Sequence, residues 1–296
     1  MGHLLKMGNK LVDCDICNSN DYDNHFLRND DHWIVKCKRC QFCYINPRPS
    51  WDVFENIYKK AKYFKSDDEK FGYLDYEAVQ EQNTFWELIK KSIFATSPFP
   101  IKNCLDIGCA TGNFLKLMQD SGVSTVGVEL SPYSAQKARK KGLKVYTSKF
   151  EDLSFNETFA LVTLFDLIEH VESPTSLLNN IKKIMAKDSL IVITTPNLRK
   201  SFLDKDQWIG YLHSHEHLYF FTPETITALL RKTGFTVIKI DTDDVFYYPT
   251  TLKEFIDNLS NILFFRKMIR AFFMPLSWYY KKRKFGHQMI VYAVKK

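Results

Sequence analysis

No stretch of this 296-residue chain approaches the roughly 18 uncharged apolar residues of a membrane-crossing helix, so no transmembrane span is expected. The first ten residues, MGHLLKMGNK, hold neither a long apolar core nor a small-residue cleavage site, so no secretory signal is expected. Lys6 breaks the N-myristoylation pattern that a Met-Gly start would otherwise invite. Internal repeats and low-complexity tracts are also missing. A cytoplasmic, globular protein is the expectation. Evenly spread positive charge is lacking too: the net charge is +7, yet residues 1–245 carry 31 Lys/Arg against 32 Asp/Glu. The whole excess lies in residues 246–296, which does not suit a uniformly basic nucleic-acid binder.

What is present is an ordinary apolar fraction of 45%, a high aromatic fraction of 15%, and seven cysteines. Four cysteines form two pairs, Cys14-x-x-Cys17 and Cys37-x-x-Cys40, with nineteen residues between them. Without a secretion signal a disulfide framework is not expected, and two such pairs suit tetrahedral thiolate coordination of structural zinc. Four thiolates would fill the sphere and leave no open position for catalysis. Cys43 reads as a buried thiol beyond the second pair, and His25 and His32 as loop residues.

Three regions follow. Residues 1–50 form the zinc-ribbon module, closed by the stiff INPRPS segment; residues 51–100 read as a helical lid or linker, with apolar positions three and four apart. From 101 to 296, strand and helix patterns alternate, and near-continuous Val/Ile/Leu runs predict strands buried on both faces. The fold expected is α/β: a Rossmann-like, seven-stranded, mostly parallel sheet with flanking helices, plus the small N-terminal zinc ribbon. An aromatic and basic insertion, 246–286, precedes the last strand.

The most informative segment is Leu105-Asp106-Ile107-Gly108-Cys109-Ala110-Thr111-Gly112-Asn113-Phe114, a buried strand breaking into a glycine turn and opening a helix. Gly108 and Gly112 can take positive φ and admit a ligand close to backbone. Glu129 ends the next apolar run, followed by Leu130; a carboxylate there can accept hydrogen bonds from both hydroxyls of a ribose. The spacing is not that of a dinucleotide fingerprint, G-x-G-x-x-G. The segment resembles the first motif of class I S-adenosylmethionine methyltransferases, with Ala110 where a middle glycine is common. SKFEDL (148–153) is similar to that family's adenine loop, with Phe150, Glu151 and Asp152 near the base. LFDLIEHVESP (164–174), carrying Phe165 and Asp166, and SLIVITTPN (189–197) resemble its fourth- and fifth-strand motifs. The resemblance implies that Asp106, Gly108, Cys109, Ala110, Gly112, Asn113, Phe114, Glu129, Leu130, Phe150, Glu151, Phe165 and Asp166 hold S-adenosylmethionine.

The cysteine pairs, NPRP and this domain together look like bacterial methyltransferases acting on sugars and glycans. That likeness implies methyl transfer to a sugar or glycan-linked small molecule. By the same match Glu216 and His217, in HSHEH (213–217), would be the acid–base pair. His170, after the fourth strand, is a second candidate base, and Tyr73 and Tyr76 fall where the family places a tyrosine-bearing lid. The sugar C-methyltransferases of that group carry a further C-terminal domain not seen here, so O-methylation with a histidine general base is expected. Residues 252–285 mix aromatics with Arg266, Lys267, Arg270 and KKRK; a lid, a dimer surface, or peripheral contact with anionic lipid at the inner membrane surface are the readings. An RNA methyltransferase and a non-catalytic zinc-ribbon binding protein remain alternatives.

Overall fold

Runs such as LIVIT can be buried only between two layers of helices. In the computed structural model of the protein, residues 9–28, 30–59, 83–201, 208, 211, 216–242 and 282–295 are described, and within them these runs build one seven-stranded sheet. Its strands are β4 (Asn103–Ile107), β5 (Ser124–Glu129), β6 (Lys144–Thr147), β7 (Phe159–Phe165), β8 (Met185–Pro196), β10 (Phe235–Thr242) and β11 (Gln288–Lys295). The order is β10-β11-β8-β7-β4-β5-β6. β4 through β8 pair in parallel, while β11 lies antiparallel to both β8 and β10. This is the mostly parallel α/β architecture that the sequence predicts.

Leu190, Ile191, Val192 and Ile193 at the centre of β8 have no exposed surface. Each contributes about 1.5–3 kcal/mol of apolar burial, which fixes β8 in mid-sheet. The helices are α1 (Trp51–Tyr58), α2 (Asn83–Thr96), α3 (Asn113–Asp120), α4 (Pro132–Lys140), α5 (Pro174–Ile184) and α6 (Pro223–Lys232). The last three each begin with proline behind a Ser or Thr whose side chain accepts from the N3 backbone N–H: Ser131, Ser173 and Thr222. One boundary differs from the sequence pattern. The apolar spacing of PTSLLNNIKKIMAK (174–187) predicts a helix through 187, but the helix stops at Ile184, because Met185 turns extended, is buried, and pairs with Phe159 at the start of β8.

A second, four-stranded antiparallel sheet has the order β1 (Tyr22–Leu27), β2 (Trp33–Cys37), β3 (Cys43–Ile45), β9 (Tyr219–Phe220). Its first three strands come from the cysteine-bearing segment. Its fourth comes from the large domain, with Cys43 paired to Phe220 and Tyr44 to Tyr219. Asp15 ties the two parts again: its carboxylate accepts from Ser173 Oγ at 2.6 Å and from the Thr175 N–H at 2.8 Å, at the start of α5. No helix among the described residues is long and apolar enough to cross a membrane. Most of the 246–286 insertion, together with Tyr73, Tyr76, His213 and His215, lies outside the described residues.

Candidate active site

A cleft of about 650 Å³ opens at the C-terminal ends of β4, β5 and β7, within the range of small-molecule sites. The strand-to-helix turn after β4 forms one wall. Gly108 and Gly112 there have φ of 78° and 77°, and Ala110 has φ of 47°. The N–H groups of Gly108 and Cys109 both donate to the Val128 carbonyl, at 2.8 and 3.1 Å. Lys141 Nζ secures the far side through the Thr111 carbonyl at 2.9 Å and the Asn113 side chain.

Glu129 closes this wall. It is 6% exposed; one carboxylate oxygen accepts from the Ala110 N–H at 2.9 Å and the other from the Ser131 N–H at 2.7 Å. Burial raises its pKa, with those backbone donors opposing. Asp106, at the end of β4, accepts from Thr163 Oγ1 at 2.7 Å. Burial pushes its pKa up to about 7, the Thr163 bond opposing and the Glu129 charge adding. Trp86, Phe114 and Phe165 pack together with centroids 4.7–5.7 Å apart and line the cleft.

Every residue expected to hold the cofactor borders this cleft except Gly112, whose absent Cβ would lie 2.4 Å from Leu143 Cδ1. Gly112 therefore serves the packing of the turn on its neighbours. Gly127 was not singled out in the sequence, and its role is similar: a Cβ there would lie 2.6 Å from Cys109 Sγ and 2.8 Å from Leu115 Cδ1.

The opposite end of the cleft is built jointly. Asp13, Asp15, Arg48, Trp51 and Tyr58 come from the N-terminal segment, His170 through Ser173 from the turn after β7, and Tyr219 from β9. Arg48 Nη1 donates to Tyr219 Oη at 2.6 Å, and that hydroxyl donates to the Glu172 carbonyl at 2.8 Å. Tyr58 Oη lies 2.9 Å from His170 Nδ1. Burial lowers the His170 pKa to about 4, with the Glu216 carbonyl opposing. The His217 ring stands edge-on to it, centroids 4.6 Å apart, and burial holds this imidazole well below its usual range as well. His170 borders the cleft; His217 lies behind it, and neither it nor the Glu216 side chain lines the wall. Tyr76 lies outside the described residues. Arg48 lies in the NPRP segment, where only the stiff prolines drew a reading, and Tyr58 carries no motif that marks it in advance.

Cys14, Cys17, Cys37 and Cys40 converge, with all four sulfurs within 4.8 Å of one another; Cys14 and Cys40 are 3.4 Å apart, Cys17 and Cys37 3.5 Å. Each pair sits in a turn in which the fourth residue after the first cysteine takes positive φ, Asn18 at 55° and Gln41 at 64°. The donor set suits zinc, and the spacing is close to that of a tetrahedron with ~2.3 Å metal–sulfur bonds. Cys43 is buried and outside this cluster. His32 instead pairs with Asp30, Nδ1 to Oδ2 at 3.3 Å, and His25 Nε2 lies 3.2 Å from Tyr211 Oη.

The sequence profile of a family described as "Methyltransferase domain" matches residues 75–240. The chain is 30% identical over 158 residues to a ubiquinone biosynthesis O-methyltransferase of Cereibacter sphaeroides, covering 49% of this chain and 64% of that protein. It is 26% identical over 144 residues to an uncharacterized protein of Methanocaldococcus jannaschii, covering 46% and 65%. The chain thus spans less than two thirds of either relative. Among solved structures it resembles the magnesium protoporphyrin IX methyltransferase of Synechocystis with bound SAH, with a TM-score of 0.53 at 12% identity over 83% of this chain and 100% of that one. A SAM-dependent methyltransferase of Archaeoglobus fulgidus gives a TM-score of 0.50 at 21% identity over 75% and 100%. At these identities the likeness is one of fold.

Proposed function

This chain belongs to the methyltransferase-domain family, and from that premise we propose that it transfers a methyl group from S-adenosylmethionine to a hydroxyl of a sugar or glycan-linked small molecule. The observation that carries the cofactor reading is the charge of the cleft. Eight carboxylates line it (Asp13, Asp15, Asp106, Glu129, Glu151, Asp152, Asp166 and Glu172) against two cationic side chains, Arg48 and Lys149. Such a surface favours a cationic sulfonium and disfavours a pyrophosphate or an RNA backbone. The residues suit the cofactor: Glu129 would offer its remaining lone pairs to ribose hydroxyls, Phe150 through Asp152 would flank the base, and the turn from Gly108 to Asn113 would receive the amino-acid part.

When bound, the cofactor supplies an electrophilic methyl on sulfur, transferred by in-line displacement. The chain's own task is to align the acceptor oxygen and take its proton. The Glu169–His170–His217 group stands at the acceptor end. Tyr58 holds the His170 ring by Nδ1, and burial leaves that imidazole neutral at pH 7, the form a general base requires. In such a transfer the C–O bond would form as the C–S bond breaks, S-adenosylhomocysteine would leave, and the acceptor proton would pass to this group. The four thiolates are assigned to structural zinc. A phenolic hydroxyl is the second reading, favoured by Trp51 and Tyr58 on the cleft wall.

Isothermal titration with S-adenosylhomocysteine tests the cofactor assignment. Saturable binding that Glu129→Ala abolishes is expected; absence of binding to the intact protein overturns it. Methyl transfer from labelled S-adenosylmethionine to a panel of sugars and phenols then decides between the acceptors.

A further inference from the structure

The acceptor end of the cleft holds a group whose composition exceeds what a general base requires. Glu169, His170 and His217 each place one ligand atom within 4.8 Å of the others. His170 Nε2 lies 4.0 Å from Glu169 Oε1. Glu169 is 1% exposed, and neither of its carboxylate oxygens makes a hydrogen bond. The Thr195 hydroxyl, which faces Glu169, also makes none of normal geometry. A buried carboxyl without a partner costs several kcal/mol unless something compensates it. No cation among the described residues does so. Arg28, the cation facing His217, is bound by Asp30 at 2.5 Å.

We propose that Glu169, His170 and His217 form a metal site for a divalent transition cation of the Mn2+ or Zn2+ class. Two imidazoles and one carboxylate are the ligand set of open metal sites, in which a further position remains for a substrate oxygen. Hard, strongly hydrated Mg2+ suits such a nitrogen-rich set less well. The surrounding structure supplies the supporting bonds such sites need. Tyr58 fixes the His170 ring from Nδ1, which leaves Nε2 on the side of Glu169. The Arg28 guanidinium donates to the His217 carbonyl at 3.0 Å and holds that residue's backbone. The Leu218 and Tyr219 N–H groups donate to the Glu169 carbonyl, at 2.9 and 3.2 Å, joining the two ligand-bearing segments. Two neutral imidazoles and one carboxylate leave the loaded site with a net positive charge, and Asp166 nearby adds negative potential that favours loading.

The consequence for the reaction rests on the methyltransferase reading given above. A cation held here, beside the cleft that His170 borders, would bind the acceptor hydroxyl and lower its pKa, so that the proton passes to solvent water and no longer to the imidazole. An acceptor with two neighbouring oxygens, as in a vicinal diol, could chelate the ion and would be preferred over a lone alcohol.

Titration of the full-length protein, its thiolate site loaded with zinc, with Mn2+ followed by electron paramagnetic resonance tests the site. Thiolates are poor ligands for Mn2+, so the two sites are separated. The expected result is saturable binding, weakened more than tenfold in Glu169→Gln and in His217→Gln. Variants that keep S-adenosylhomocysteine binding are folded, and only those are compared. The unaltered protein gives a second measurement: bound Mn2+ broadens the ring resonances of His170 and His217. No saturable binding, or binding that neither variant weakens with those resonances unbroadened, overturns the site. Loss of S-adenosylhomocysteine binding by the intact protein would overturn the methyltransferase reading, and leave the Mn2+ result standing.

Discussion

Replacing Gly127 by alanine tests whether the cofactor turn is held by packing from beneath. Gly127 lies in β5, paired with Asp106 of β4 and Val145 of β6, so its backbone cannot move without disturbing three strands. The added Cβ would sit 2.6 Å from Cys109 Sγ, 2.8 Å from Leu115 Cδ1 and 3.1 Å from Val145 Cγ2. All three neighbours are buried, and the Gly127 φ is not positive, so the cost is overpacking alone. Overpacking of this kind costs about 1–3 kcal/mol, or a drop in Tm of roughly 2–10 °C for a chain of this size. Cys109 belongs to the turn that lines the cleft, so relief by its displacement should weaken S-adenosylhomocysteine binding by about tenfold, equivalent to 1.4 kcal/mol. Thermal unfolding followed by circular dichroism and calorimetric titration read the two effects. Adding Cys109→Ala removes the nearest clash, and the pair should couple favourably by about 0.5–2 kcal/mol in a double-mutant cycle. A Gly127→Ala protein with unchanged Tm and affinity, or a pair that is strictly additive, refutes the reasoning.

Ala110→Gly should unfold within about 1 kcal/mol of the parent and keep its affinity, because relief of the positive φ is offset by lost methyl burial and glycine entropy; Ala110→Val, β-branched at the same φ, should lose about 2 kcal/mol or more on urea unfolding. Asp106 has its folded pKa raised to about 7. The folded state therefore holds the proton more tightly than the unfolded chain, and this group's contribution is present below about pH 4 and is lost as pH rises to about 7. The loss is on the order of 4 kcal/mol. Urea unfolding of the ligand-free protein should show Asp106→Asn gaining on the parent between pH 5 and pH 8; a difference constant with pH would refute this. Metal removal from the thiolate cluster, monitored by a zinc-sensitive dye, should release zinc and weaken S-adenosylhomocysteine binding less than it impairs methyl transfer, since the N-terminal segment lines the proposed acceptor end.

The large sheet was legible because its signal is periodic and local. LIVIT, LVTLF and VGVE are too apolar to be anything but buried strands, and each proline-started helix announces itself by its capping residue. The turn at 105–114 was legible for the same reason, since glycine spacing and the strand-end acid are set within a single βαβ unit. The acceptor end was only half legible. His170 and His217 could be named, because histidines beside an acid are rare enough to notice. Tyr58, Arg48 and Asp15 could not, because each acts through a contact far away in sequence: Tyr58 on His170, Arg48 on Tyr219, Asp15 on α5. Nor could the pairing of β9 with β3, since Tyr219–Phe220 is too short to carry a strand pattern.

That pairing changes what the cysteine cluster is for. A separate zinc ribbon would need its metal only to fold itself. Here the second cysteine turn joins β2 to β3, β3 pairs with β9, and β9 begins two residues after His217. Arg28, from the loop between β1 and β2, carries the connection further. Burial alone would raise the Asp30 pKa, but bonds from His32 and Arg28 hold it well below the usual carboxylate range, so the Arg28–Asp30 pair stays ionised, and Arg28 Nη1 donates to the His217 carbonyl. Removing one partner of such a buried pair costs about 3–5 kcal/mol, and here the strain would fall on the segment that carries His217. On the proposed function, the cofactor half of the cleft is a property of the βαβ core, whereas the acceptor half is assembled across two sheets. Acceptor choice can then change through the cysteine-bearing segment while the cofactor turn stays as it is, and substitutions at Arg28, Arg48 or Asp15 should alter acceptor use with little effect on the donor site.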